Sequence, residues 1–360
     1  MEISKRTALK TQLPKQPHIL IIRLSAMGDV AMTVPVIAAL RMQYPEIKIT
    51  ILTKALFEPM FSEFENVTVY VADVKGKHKG FKGLWRLFKE LKRIGVEQVA
   101  DFHNVLRSNI LKRFFRFSKI PFVQIDKGRA EKKSLTRWRK DKEIRQLKTT
   151  HQRYADVLAK LDLPIDFLNI PLPAMRSISP ETQKRIVTNT KKWIGIAPFA
   201  AFSGKMYPLS LMEEVIAQLQ EDNQYKIILF GGGALEKEQL LIWEKQFSNC
   251  INMANTVSFE EELAVISQLD LMLAMDSGNA HLAAMFQIPT ITLWGVTHPY
   301  AGFYPFGQDL DNALLSDITK YPMIPTSVYG NKVPKNYENV MATIPPTRVL
   351  QKIKDVLAGR

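Results

Sequence analysis

Hydrophobic positions fall into short apolar runs separated by stretches of helical periodicity. In the first half, HILIIRL (18–24), IKITILT (47–53), VTVYVA (67–72), VEQVADF (96–102) and IPFVQI (120–125) read as buried strands. VAMTVPVIAALRMQY (30–44), 83–94, 105–117 and 151–161 read as helices, and the basic stretch 127–148 shows no periodicity. Alternation of this kind predicts a parallel sheet with helices on both faces.

Residues 162–182 carry Pro164, Pro171, Pro173 and Pro180 and read as a linker. The alternation then restarts. WIGIAPF (193–199), YKIILFG (225–231), 270–275 and PTITLWG (289–295) are strands, with helices at 209–221, 234–247, 258–269 and from 279. Ser258 and Glu261 stand at capping-box spacing. A tail, 300–345, reads as irregular, and 347–359 as a closing helix. The expectation is an α/β chain of two doubly wound domains facing a cleft. Residues 1–170 form the first, 171–345 the second and 346–360 the closing helix. In open parallel sheets ligands bind at the carboxyl ends of strands, so the loops after strands are the ones to read.

Composition narrows the class. The 360 residues are 46% hydrophobic and 23% charged, ordinary for a globular protein of two domains. No apolar run is long enough to span a bilayer. The first residues, MEISKRTALKTQLPKQPH, lack the apolar core of a signal peptide. One cysteine, Cys250, excludes an internal disulfide and a cysteine-based metal cage, which fits a reducing cytoplasm. Residues 1–175 hold 33 Lys/Arg against 17 Asp/Glu, whereas 176–360 hold 16 against 18. The net charge of +14 thus comes from the first half, which predicts an anionic partner there. Nucleic acid is set aside, since no recognition module accompanies the charge.

Four loops carry candidate chemistry. In RLSAMGDVAMTVP (23–35), a single glycine, Gly28, stands where a dinucleotide fingerprint needs three. Asp29 is either a helix cap or a general base aimed at the cleft. In APFAAFSGKMYPLSLM (197–212), Ser203, Gly204 and Lys205 suit a phosphate or form an ordinary solvated loop. In LFGGGALEKEQ (229–239), Gly232 and its neighbours allow close approach of a ligand, and Glu236 or Glu238 could accept from ribose hydroxyls. In DLMLAMDSGNAHLAAM (270–285), Asp276, Ser277, Gly278 and Asn279 open a helix whose amides suit a phosphate; His281 either donates to it or packs. Asp309 and Asp311 form a D-x-D in the irregular tail and read as solvated charges.

These residues also carry a resemblance. ILIIRLSAMGDVAMTVPVIAALRMQYP, DFHNVLRSNILKR, PFAAFSGKMYP and MDSGNAHLAAMFQIPTITLWGVTHP, in that order over about residues 18–300, resemble the motifs of glycosyltransferase family 9, the bacterial ADP-heptose:lipopolysaccharide heptosyltransferases. The resemblance implies the two-Rossmann GT-B fold, inversion at the sugar carbon and no required metal or cofactor. It makes Asp29 the catalytic base and Lys205 the diphosphate-binding lysine. Ser203, Gly204, Gly232, Glu236, Asp276, Ser277, Gly278 and His281 become donor residues, and Met27, Gly28, Arg107 and Ser108 acceptor residues. The implied function is transfer of a heptose from ADP-heptose to a lipopolysaccharide-core, lipid A-linked acceptor. The alternatives are the same fold on another nucleotide sugar and a non-catalytic nucleotide or saccharide binder. Two departures stand out: no Cys-rich stretch precedes the closing helix, and Met206-Tyr207 replaces a basic–Trp pair.

Two basic segments predict a peripheral site at the inner face of the cytoplasmic membrane. In KGKHKGFKGLWRLFKELKRIG (75–95), Leu84, Leu87, Phe88 and Leu91 share a helical face while Arg86, Lys89, Lys92 and Arg93 lie off it. Lys127, Arg129, Lys132, Lys133, Arg137, Arg139, Lys140 and Lys142 form the second cluster.

Overall fold

The computed structural model describes residues 17–139, 142–186 and 192–359. The N-terminal segment and Lys140 therefore lie outside the described residues. Five strands, β1 (His18–Ile22), β2 (Lys48–Thr53), β3 (Val67–Val71), β4 (Gln98–Asp101) and β5 (Phe122–Gln124), form a parallel sheet in the order β3-β2-β1-β4-β5. Six more, β6 (Lys192–Ala197), β7 (Tyr225–Leu229), β8 (Cys250–Asn252), β9 (Leu271–Met275), β10 (Thr290–Trp294) and β11 (Ala313–Leu315), form a second in the order β11-β10-β9-β6-β7-β8. Each is a Rossmann order, with its switch point between β1 and β4 or between β6 and β9.

Strand pleat explains the two-sided burial. Ile19 and Ile21 join the core on one face of the first sheet, and Leu20 and Ile22 the core on the other. In the second sheet, Leu271, Leu273 and Met275 face one core while Met272 and Ala274 face the other. That latter core also holds Ile19, Ile21 and Ile37, so the two sheets share packing rather than merely sitting side by side.

Several boundaries differ from the sequence expectation. The helix read over 30–44 is two, Met27–Ala31 and Val34–Gln43, because Pro35 opens a new helix at its second position. The stretch 127–148 contains a helix, Arg129–Thr136, which buries Lys132 and Leu135. The capping box at Ser258 is half formed. Ser258 Oγ accepts the Glu261 amide at 3.2 Å, but the Glu261 carboxylate accepts from the Ser179 amide at 2.8 Å. That bond ties the linker to the second domain; Arg176, paired with Glu63, ties it to the first. The closing helix, Pro346–Leu357, packs on the second domain, where Lys354 meets Asp222 at 3.0 Å.

The 300–345 tail is mostly irregular, as expected, yet it bridges the domains. Leu147 and Thr150 donate their amides to the carbonyls of Tyr300 and Gly302, both at 2.9 Å. This crossing brings Phe303 and Tyr329 to the cleft.

Candidate active site between the two sheets

Three of the four loops read from the sequence follow β1, β6 and β9 at the two switch points, on opposite walls of one cleft, and the glycine loop follows the neighbouring β7. Loop 23–26 leads from β1 into helix Met27–Ala31, and loop 276–277 leads from β9 into helix Gly278–Met285. The two helices touch. A Cβ on Gly28 would lie 2.8 Å from His281 Cδ2 and 3.2 Å from Gly278 Cα, so glycine is what permits this approach. Met27 packs against Gly278 from the same side.

Asp29 stands beside this contact, 30% exposed. Its Oδ2 accepts from the Ala26 amide at 3.2 Å and pairs with Arg23 Nη2 at 2.5 Å. One oxygen thus performs the capping role, while Oδ1 has no partner among the described residues. Arg23 is buried and is fixed in turn by the Phe102 carbonyl, 2.7 Å from its Nη1.

Across the cleft, Lys205 Nζ lies 3.1 Å from Asp276 Oδ2, which also accepts from Thr297 Oγ1 at 2.9 Å. The lysine stem runs over Gly330, which has a left-handed φ of +84° and no room for a side chain. Ser277 Oγ, Asn279 Oδ1 and His281 Nδ1 are buried without a hydrogen-bond partner among the described residues. Burial pushes the His281 imidazole down to about 4, so it is neutral at pH 7.

Three cavities run through these residues. One of about 240 Å³ is lined by Asp29 and Gly28 on one wall and by Lys205, Asp276, Ser277, Gly278 and His281 on the other. It shares Ala201, Ser277 and Gly278 with a cavity of about 620 Å³ that reaches Gly232, Glu236, Asn255 and Glu262. It shares Asp29, Phe303 and Tyr329 with a cavity of about 220 Å³ lined by Arg23, Lys127, Lys132 and Arg153. Asp29 therefore stands between a basic chamber and a chamber edged by buried polar atoms.

Other residues singled out from the sequence have different surroundings. Ser108 is fully buried, and its hydroxyl is taken up by Val105, accepting from the amide and donating to the carbonyl, both at 3.0 Å. It thus caps its own helix, with the side chain buried rather than open to the cleft. Arg107 is exposed and lines none of the three cavities. Gly204 is buried against Val296 and Val333, its carbonyl accepting the Val296 amide at 2.9 Å, and Ser203 is exposed beside it. Glu236 Oε2 accepts from the amides of Gly232 (2.7 Å) and Gly233 (3.3 Å), so the chain's own carboxylate occupies the glycine-loop donors. Asp309 and Asp311 are exposed, and no group of three metal-ligating side chains occurs among the described residues.

The second basic cluster divides. Lys127 and Lys132 face the basic chamber; Lys132 is buried, stacks over the Phe303 ring at 3.9 Å and is pushed down to about 8 by burial. Lys142 donates to the carbonyls of Met323 and Pro325 at 2.9 and 2.7 Å, which makes it a strap to the tail. Arg129, Lys133, Arg137 and Arg139 are exposed. Sequence reading passed over Arg23, Arg153, Phe303, Tyr329 and Glu262. Arg23 directly follows β1 and opens the stretch 23–35, and that place was the available signal. Phe303 and Tyr329 gave none, since only the tail's return across the cleft brings them in.

Comparison with known proteins finds relatives along most of the chain. Residues 84–325 match Glycosyltransferase family 9 (heptosyltransferase). The lipopolysaccharide core heptosyltransferase OpsX of Haemophilus influenzae is 26% identical over 303 residues, covering 81% of this chain and 82% of that protein. Among solved structures, a glycosyl transferase family 9 protein from Veillonella parvula superposes with a TM-score of 0.71 at 19% identity, over 96% of this chain and 98% of its own. Heptosyltransferase WaaC of E. coli, solved with ADP-2-deoxy-2-fluoro heptose, superposes with a TM-score of 0.63 at 20% identity, over 94% and 99%. The two facing Rossmann sheets are the GT-B fold of these proteins.

Proposed function

The chain belongs to glycosyltransferase family 9, and on that premise we propose that it transfers a heptose, with inversion, from ADP-heptose to a lipid A-linked lipopolysaccharide core. The observation that carries this reading is Asp29 sharing one cavity with Lys205 and the Ser277–His281 turn. The donor diphosphate lies against Lys205 and the buried polar atoms of the turn, whose helix N-terminus favours anions. The nucleoside extends into the 620 Å³ cavity, and the acceptor enters through the basic chamber. Asp29 takes the proton of the acceptor hydroxyl as its oxygen attacks the anomeric carbon. The bond from that carbon to the diphosphate oxygen breaks, and Lys205 with the turn amides stabilises the charge that leaves. Arg23 holds the Asp29 carboxylate in place, and Lys127, Lys132 and Arg153 attract an anionic core. On this reading the residues themselves supply the chemistry, with no metal or cofactor required.

Turnover of ADP-heptose, compared with GDP- and UDP-sugars on a heptose-deficient core, tests this reading. Transfer from ADP-heptose supports it. Preference for another nucleotide sugar would place the chain on a different glycan, and binding without any transfer would make it a saccharide binder.

The same proposal places the protein in the cytoplasm, against the inner membrane face. No helix among the described residues is long and apolar enough to cross a membrane. Support comes from helix Gly80–Arg93, which exposes Phe81 (66%) and Trp85 (42%) among Lys82, Arg86 and Lys89. Such a face suits an anionic bilayer surface. Flotation with anionic liposomes should carry the protein, and neutral ones should not; equal flotation contradicts the placement.

A further inference from the structure

The large cavity contains one carboxyl group that the proposed chemistry leaves unused. Glu262 sits on helix Phe259–Ile266, whose start is fixed by the Ser258 cap. Its neighbour Glu261 turns away to the linker amide of Ser179, whereas Glu262 lines the cavity together with Phe230, Val257 and Phe259. Among the described residues its carboxyl has no hydrogen-bond or ion-pair partner. Glu236, which lines the same cavity, is in a different situation, because the amides of Gly232 and Gly233 hold it. A carboxyl group half-buried among apolar side chains is costly unless a ligand supplies its partner.

We propose that Glu262 reads the nucleobase of the donor, pairing with the amino-bearing edge of adenine and setting the preference for an adenine nucleotide. This rests on the cavity being the nucleoside site of the proposed transferase. The chemistry of the edge fits. Burial pushes Glu262 up to about 7, so the protonated form is well populated at neutral pH. A protonated carboxyl offers one donor and one acceptor. On its N7 edge adenine presents a matching pair, the N6 amino donor beside the N7 acceptor, and this is the edge assigned to Glu262. Hypoxanthine and guanine have a carbonyl oxygen in place of that amino group, which leaves two acceptors, O6 and N7, on that edge. Apolar walls at Phe230 and Phe259 contribute contact area with little base discrimination.

Calorimetry with ADP, IDP and GDP on the wild-type chain, Glu262→Gln and Glu262→Leu tests this. The wild type should prefer ADP over IDP by roughly tenfold, the effect expected of one buried hydrogen-bonding pair. Glu262→Gln should keep that preference, since an amide offers the same donor and acceptor; Glu262→Leu should reduce it to within about twofold. An unchanged preference in a folded Glu262→Leu overturns the assignment, as does a wild type that binds IDP or GDP as tightly as ADP. Should Glu262→Leu fail to fold, loss of the preference in Glu262→Gln also overturns it. A wild type that binds none of the three nucleotides defeats the donor-site reading itself, whereas ADP binding with an unaltered ratio in the leucine variant defeats only the role of Glu262.

Discussion

Gly28 and His281 face each other across the cleft so closely that a methyl group on Gly28 would lie 2.8 Å from the imidazole ring. His281 is buried and has nowhere to retreat without moving its helix. Gly28→Ala should therefore spread the two walls, separating Asp29 from the Ser277–His281 turn. Transfer should fall at least about tenfold, with a stability loss of about 1–3 kcal/mol from overpacking. Steady-state kinetics and thermal melts check both, and a fully active Gly28→Ala would show that the contact is dispensable.

Lys205 pairs with Asp276 at 3.1 Å while lining the central cavity, so its ammonium is held where a diphosphate would lie. Charge-assisted hydrogen bonds of this kind contribute about 1.5–3 kcal/mol. Lys205→Met should weaken ADP by about tenfold or more while leaving adenosine nearly unaffected. Calorimetry with the two ligands distinguishes loss of a phosphate contact from general damage, which would weaken both.

Lys132 gives the acceptor chamber a pH dependence. Burial holds its ammonium down at about 8, from 10.5 for a solvated lysine. Below about pH 8 it is charged and attracts an anionic acceptor; above that the attraction fades, so the acceptor KM should rise. Stability should respond in the opposite direction. Between about 8 and 10.5 the unfolded chain keeps a proton that the folded chain has lost, so this contribution to stability increases with pH. Lys132→Met should flatten both profiles. KM and denaturant melts measured from pH 7 to 10 check the pair, and a variant that retains the wild-type rise in KM contradicts the assignment.

The sheets were legible because their strands are continuous apolar runs, the pattern left by burial on both faces. Asp29, Lys205, Asp276 and His281 were legible because each follows such a run. Two short edge strands escaped, Cys250–Asn252 and Ala313–Leu315, of three residues each, whereas the equally short Phe122–Gln124 was legible within the apolar run 120–125. Residues that reach the cleft from a distance also escaped. Phe303 and Tyr329 enter only because Gly302 packs on Lys148 and Thr149 across the domains. Ser108 was ambiguous for a local reason, since a serine three residues into a helix can serve a ligand or its own cap, and the sequence is the same for both.

Asp29 offers the most direct test, because the account depends on a carboxylate that acts on the acceptor while the opposite wall holds the donor. Asp29→Asn keeps the size of the side chain and removes its basicity. Single-turnover transfer from ADP-heptose should fall by about 100-fold or more, as expected for the loss of a general base, while the affinity for ADP measured by calorimetry stays at the wild-type value. A folded Asp29→Asn protein that transfers heptose at the wild-type rate would contradict the mechanism.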